Sequence, residues 1–238
     1  MKAMSGTFST AVRLMEQLAV NGEVSVSQLA RVSGISYPTT LYAISSFPFV
    51  SRRKVGRECK VEINEEYMDA VYPFLVALQT SETKRAQLTL SFLSRKGFGD
   101  LVIGGEMALE LQLPVKDAEP DPQVEVRTAN ANEFKKFVCR TLPSAIASDI
   151  LSKVRIVEDG DTAATKRIGL LLVSRPEKLL VDSVAEKQSE VFIESVAEAI
   201  VNSSNGVDIK LLRLYASRRG VLEEVLQQME KARGSNFP

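Results

Sequence analysis

SQLARVSGISYPTTLYAISSF, residues Ser27–Phe47, decides how the N-terminal part of the chain is read. Leu29, Ala30 and Val32 sit at helical spacing on a short first helix. Ser33-Gly34 breaks that helix, because glycine takes the left-handed conformation a tight turn needs. Ile35 is apolar and plugs the corner. Ser36 is a good N-cap for a second helix, and Pro38 falls in its first turn, where a missing N–H costs little. Leu41, Ile44 and Phe47 then form an inward stripe. Ser36, Tyr37, Thr39, Thr40 and Ala43 are left outward.

The next stretch, FVSRRKVGRECKVEIN (Phe49–Asn64), reads as a two-stranded ribbon. Its arms are Phe49–Val55 and Glu58–Ile63, and Gly56-Arg57 makes the turn. Arg52, Arg53, Lys54, Arg57 and Lys60 cluster there. Upstream, Phe8, Val12, Leu14, Met15 and Leu18 give a preceding amphipathic helix. In this order and pattern, residues 6–64 resemble a winged helix-turn-helix domain. That resemblance implies a recognition helix entering the major groove of double-stranded DNA. Ser36, Tyr37, Thr39, Thr40 and Ala43 would meet base edges, and Arg52, Arg53, Lys54, Arg57 and Lys60 would grip phosphates. Up to Asn64 there are eight basic and four acidic residues, so this segment carries +4 and the remainder −4. A basic patch is the electrostatic footprint of phosphate binding. The recognition helix itself has no Arg or Lys, so base readout falls to hydroxyls and apolar contacts. Some winged helices bind protein instead, and that reading stands beside the DNA one.

The 238 residues suit two modest domains. Hydrophobic content of 45% and charged content of 25% are ordinary for a soluble globular protein. No apolar run approaches a membrane span and the N-terminus has no hydrophobic signal core, so a cytoplasmic protein is expected. Cys59 and Cys139 lie far apart and read as reduced thiols. The chain has no histidine. That removes His-based acid–base chemistry, Ser-His-Asp triads and mixed Cys/His zinc sites.

Beyond the ribbon, Glu65–Gln79 has helical spacing in Met68, Val71, Phe74 (or Leu75) and Leu78, with Pro73 a kink or break. A capped helix from Thr80 or Ser81 to Gly97 carries Leu88, Phe92 and Leu93. Residues 65–97 read as a helical linker or dimerisation segment. From Phe98 the texture changes. A short apolar run, Leu101–Ile103, meets Gly104-Gly105 and then an amphipathic helix to Leu113. Val124–Thr128 alternates as a strand, Asn130–Leu142 is helical, and Val154–Val157 is a second strand before an Asp159-Gly160 turn. Arg167–Ser174 is a continuous apolar run and is expected to be one buried strand. A helix begins at Pro176 with Leu179, Leu180, Val181 and Val184 inward, and three further helices close the chain. In the helix after Asp208, Leu211, Leu212, Leu214 and Tyr215 are expected in the core. Residues 98–238 are therefore an α/β domain with a helical tail, and the chain as a whole is α+β.

The Gly104-Gly105 turn before a helix, followed by a loop and strands, resembles the nucleotidyltransferase-like fold. In active members such a turn opens a helix toward nucleotide phosphates, and paired aspartates on a following strand hold Mg²⁺. PEKLLVD (176–182) and YASRRG (215–220), in order after the winged helix, resemble the abortive-infection (AbiEi-type, type IV toxin–antitoxin) antitoxins. The resemblance implies an antitoxin-like repressor acting on its own promoter as a homodimer, with a toxin protein as a further partner. One departure stands out. The region offers Asp117, Glu119, Asp121 and Glu125 but no Asp-x-Asp pair. A divalent ion needs two carboxylates on one face of a strand, two residues apart. Asp121 is spaced with Gln123, and Glu125 with Arg127. The domain is therefore expected to keep the fold without catalysis and without a cofactor or metal. Gly104 and Gly105 read either as a nucleotide-binding turn or as a plain strand-to-helix turn. Glu177 and Asp182 read as capping or salt-bridge groups for Arg213, Arg218 or Arg219. A metal-dependent nucleotidyltransferase with an appended nucleic-acid-binding domain is the second reading of the whole chain, and a protein-binding scaffold the third.

Overall fold

The computed structural model describes residues 2–113, 124–159, 161, 164–203 and 208–234, with side chains from Phe8 onward. The chain divides into two compact units, Met1–Gly97 with Gly169–Leu171, and Phe98–Ile168 with Leu172–Pro238. Both mix helices and strands.

The first unit runs α1 (Lys2–Asn21), β1 (Val24–Ser25), α2 (Val26–Ser33), α3 (Tyr37–Ser45), β2 (Val50–Val55), β3 (Glu58–Ile63), α4 (Glu65–Leu78) and α5 (Glu82–Arg95). Ser25 caps α2 by accepting from the Gln28 N–H at 3.2 Å, a cap worth about 1 kcal/mol. Gly34 ends α2 at φ +65°, and its N–H returns to the last carbonyls of the helix. Ser36 caps α3 through the Thr39 N–H, with Pro38 in the first turn. The strands form an antiparallel sheet of order β1-β3-β2. Gly56 turns the hairpin at φ +60°, the positive first central residue of a type II′ turn. Leu14, Leu18, Leu29, Ile44, Val61, Ile63, Leu75, Leu90 and Leu93 are all buried, each contributing about 1.5–3 kcal/mol of apolar burial.

Several details of this unit differ from the sequence reading. The inward face of α3 holds Thr40 and Ile44, with Phe47 just beyond the helix half-buried, while Leu41 lies outward. The reading followed hydrophobicity, but a helix buries residues four apart, and Thr40 and Ile44 are that pair. Pro73 sits inside an unbroken α4. That helix buries Met68, Tyr72, Leu75 and Val76 and exposes Phe74 and Leu78. Tyr72 stacks on Phe92 of α5, with centroids 4.2 Å apart. Phe8 is exposed. β1, two residues long, had no pattern to reveal it. Residues 65–97 pack on α1 within this unit.

The second unit continues with β4 (Val102–Gly104), α6 (Gly105–Glu110), β5 (Val124–Thr128), α7 (Ala131–Thr141), α8 (Ser144–Lys153), β6 (Val154–Glu158), β7 (Thr165–Ile168), β8 (Leu171–Ser174), α9 (Pro176–Ala185), α10 (Glu190–Asn202), α11 (Ile209–Arg219) and α12 (Leu222–Gly234). Its mixed five-stranded sheet has the order β6-β5-β4-β8-β7. β4 is antiparallel to β5 and parallel to β8, and β5 is parallel to β6.

The run Arg167–Ser174 is two strands, not one. Gly169 turns at φ +59°, and burial begins only at Leu171. The helix after Gly104 stops at Glu110, short of Leu113. α8 escaped the sequence reading altogether. Leu214 is exposed while Leu212 and Tyr215 are buried, and Val184 is half-buried. No described helix is long and apolar enough to cross a membrane.

Candidate functional site

Two places carry the chemistry expected from the sequence: the α3–hairpin surface of the first unit and a charged network in the second.

On the hairpin, cross-strand partners share a face. Arg52 pairs with Val61, Arg53 with Lys60, and Lys54 with Cys59. Arg52 and Lys54 therefore lie on the face that carries buried Val61 and Ile63, out toward the turn. Arg53 and Lys60 lie on the other face. The cations are not equivalent. Arg53 pairs with Glu23 at 2.8 Å. Arg52 donates to Ser45 Oγ at 2.9 Å, tying the hairpin to the end of α3. Lys54, Arg57 and Lys60 have no ion-pair partner among the described residues. Arg52, Arg53, Lys54 and Arg57 are exposed and Lys60 is half-buried.

The α3 residues expected at base edges divide. Ser36, Tyr37 and Thr39 are exposed, and Ala43 is half-buried. Thr40 is not available: it is fully buried, and its Oγ1 has no hydrogen-bond partner. Sequence reasoning passed over Tyr42, which at 79% exposure is the most open of the large apolar residues on this helix.

In the second unit, alternation puts Glu125 and Arg127 on one face of β5. They form an ion pair at 2.7 Å, both essentially buried. The guanidinium of Arg127 also meets Asp159 and Asp182 at 3.1 Å and Glu186 at 2.8 Å. Lys178, Asp182 and Glu186 recur every four residues, so α9 and the residue closing it present them as one row. Lys178 reaches both Asp159 and Asp182 at 3.2 Å. Arg155, beside Glu125 on β6, binds Glu125 and Glu186. Arg219 at the end of α11 binds Asp182 at 3.0 Å. Four carboxylates thus interleave with four cations. Of the partners proposed for Asp182, the structure selects Arg219. Glu177 instead accepts from the Asp208 N–H at 2.9 Å and pairs with Arg175.

Burial raises the pKa of Glu125, although Arg127 pulls it the other way. For Asp159 burial is outweighed by the Asp161 N–H, Lys178 and Arg127, and its pKa is lowered. Burial opposes the charge on Arg127, but Glu125, Asp182 and Glu186 prevail and raise its pKa.

This arrangement explains Gly104. It stands opposite Glu125 in the β4–β5 register, and a Cβ there would lie 2.5 Å from Glu125 Oε1 and 3.2 Å from Arg127 Nε. The glycine makes room for a protein carboxylate. Gly105, at φ +63°, lines a pocket of about 160 Å³ with Glu106, Arg155, Gln188, Ser189 and Phe192, below the roughly 300 Å³ at which ligand pockets begin. α6 has only six residues, too short a helix to present a strong N-terminal field. A divalent ion does not fit the network, because each of its four carboxylates already contacts Arg127 within 3.1 Å. No group of three acidic or cysteine side chains among the described residues converges as a metal site. Asp117, Glu119 and Asp121 lie outside the described residues.

No protein-family model and no curated protein matches the chain.

Proposed function

We propose that the protein is a DNA-binding transcriptional regulator whose first unit acts as a winged helix-turn-helix. The observation that carries this reading is the cationic hairpin beside the open face of α3, with Arg52 fastened to Ser45 at their junction. α3 serves as the recognition helix and β2–β3 as the wing. The second unit is a nucleotidyltransferase-like fold whose charged network replaces a metal site. The chain functions as an antitoxin-like repressor of its own promoter, a homodimer on two half-sites, with a toxin protein as partner and the cytoplasm as its compartment.

The test is binding of the full chain to its own upstream DNA, against scrambled duplex, across a salt series. A variant with Arg52, Arg53 and Arg57 changed to alanine runs alongside. Selective binding that weakens with salt and collapses in the variant supports the regulator. Absence of binding at low salt removes it. The alternative, a metal-dependent nucleotidyltransferase, would then be pursued by Mg²⁺ and nucleotide titrations, in which a ligand that binds the native state must raise the melting temperature.

A further inference from the structure

The exposed small hydroxyls in and around α3 are engaged within the protein, although the Ser36–Thr39 pair keeps one O–H to offer. Ser36 Oγ accepts from the Thr39 N–H and lies 2.8 Å from Thr39 Oγ1. Ser45 Oγ donates to the Leu41 carbonyl at 2.7 Å and accepts from Arg52. Ser46 Oγ donates to the Tyr42 carbonyl. Thr40 is buried. Helix spacing places Tyr37, Leu41 and Ser45 in one row and Pro38 and Tyr42 in the next. The large apolar side chains facing outward are Tyr42, Tyr37 and Leu41, at 79%, 48% and 37% exposure.

This surface has a definite chemistry. Residues Tyr37–Ser45 contain no Arg or Lys to grip guanine O6 and N7, and no Asn or Gln to grip adenine N6 and N7. The apolar feature of the major groove is the thymine C5-methyl group. The adjoining hairpin, with Arg52, Lys54 and Arg57 exposed, is matched to a polyanion.

Resting on the DNA-binding reading above, we infer that α3 recognises thymine methyl groups in the major groove, with Tyr42 the principal specificity-determining residue and Tyr37 and Leu41 beside it. Apolar contact replaces bidentate hydrogen bonding as the means of discrimination. The preferred sites are therefore T-containing half-sites rather than G-rich ones.

The experiment uses the full chain and a duplex selected from a randomised pool. Each thymine of that duplex is replaced in turn by deoxyuridine, which deletes only the methyl group. Loss of one contacted methyl should weaken binding about fourfold, the worth of one buried methyl. Tyr42→Ala should bind the thymine and deoxyuridine duplexes equally, while Tyr42→Phe keeps the difference. Since Tyr42 is so exposed, both variants should melt with the parent, which a thermal scan verifies. Selective binding that is indifferent to deoxyuridine at every position overturns the inference and leaves the DNA-binding reading standing. Retention of the methyl preference in Tyr42→Ala overturns the assignment to Tyr42. A protein that enriches no duplex at low salt fails the underlying reading, and this inference falls with it.

Discussion

At the scale of single residues, Thr40 and Gly104 show how one atom fixes a role. Thr40 belongs to the core of the first unit, and its buried hydroxyl lacks a partner. An unsatisfied buried polar group costs about 1–3 kcal/mol, and valine has nearly the same shape. Thr40→Val should therefore raise stability by about 1 kcal/mol in urea unfolding, and it should leave DNA affinity unchanged. A drop in affinity without a change in stability would return Thr40 to the interface. Gly104 makes the opposite case. Gly104→Ala places a methyl where the Glu125 carboxylate lies, and that carboxylate is held by Arg127 and cannot swing out cheaply. Overpacking against a buried charge should cost on the order of 2–4 kcal/mol, seen as a lower urea midpoint. A glycine that served only as turn punctuation would tolerate the change at this non-strained φ of −117°.

At the scale of elements, Arg127 is the buried cation that joins β5 to α9, with Arg155 bridging Glu125 and Glu186 beside it. Arg127→Met leaves four carboxylates facing three cations and should cost about 3–5 kcal/mol. Adding Glu125→Gln should recover part of that loss, because it removes a buried charge left with only the half-exposed Arg155 as partner. The network also fixes the sign of its pH response. Asp159 has a lowered folded pKa, so its contribution is present above its unfolded value of 3.8 and disappears as pH falls below that. Asp159→Asn should flatten the acid limb of the stability curve. Glu125 has a raised folded pKa, so its contribution is full below 4.5 and is lost as pH rises through the folded value. Glu125→Gln should therefore gain on the parent between acid and neutral pH, measured as the difference in unfolding free energy across that range. Much of this organisation was legible beforehand. The capped helices around Gly34, the hairpin at Gly56 and the strand Val124–Thr128 each combine a local period with a turn or cap signal. The opposition of Glu125 to Arg127 follows from strand alternation alone. The i, i+4 row Lys178, Asp182, Glu186 was equally visible but resembles an ordinary solvated face, and only packing against Arg127 distinguishes it. β1 and α8 were illegible because one is two residues long and the other mixes Ser, Ala and Ile without a sharp stripe. The split of Arg167–Ser174 turned on Gly169, whose left-handed conformation a run of apolar neighbours conceals.

At the scale of the whole molecule, the formal net charge of zero hides a division that matters for binding. Residues 1–64 carry an excess of four positive charges, 65–97 are balanced, and the remainder holds the compensating excess of acid. Zero net charge therefore does not predict indifference to polyanions, since counterion release depends on the phosphates the cations actually meet. Each phosphate neutralised contributes about −0.9 to the slope of log affinity against log salt. Removing Arg52, Arg53 and Arg57 together would remove nearly three such increments if all three met phosphate. The structure expects fewer, because Arg53 is already paired with Glu23, so its charge is largely neutralised before DNA arrives. Fluorescence anisotropy on duplex DNA between about 50 and 200 mM salt should show the triple variant's slope shallower by about 2 rather than about 3. Arg53→Ala alone should barely change it, and Glu23→Gln should steepen the parent slope by releasing Arg53. A single Arg53→Ala effect as large as that of Arg57→Ala would mean that the Glu23 pair opens on binding; an unchanged slope in the triple variant would mean that the hairpin does not meet phosphate at all.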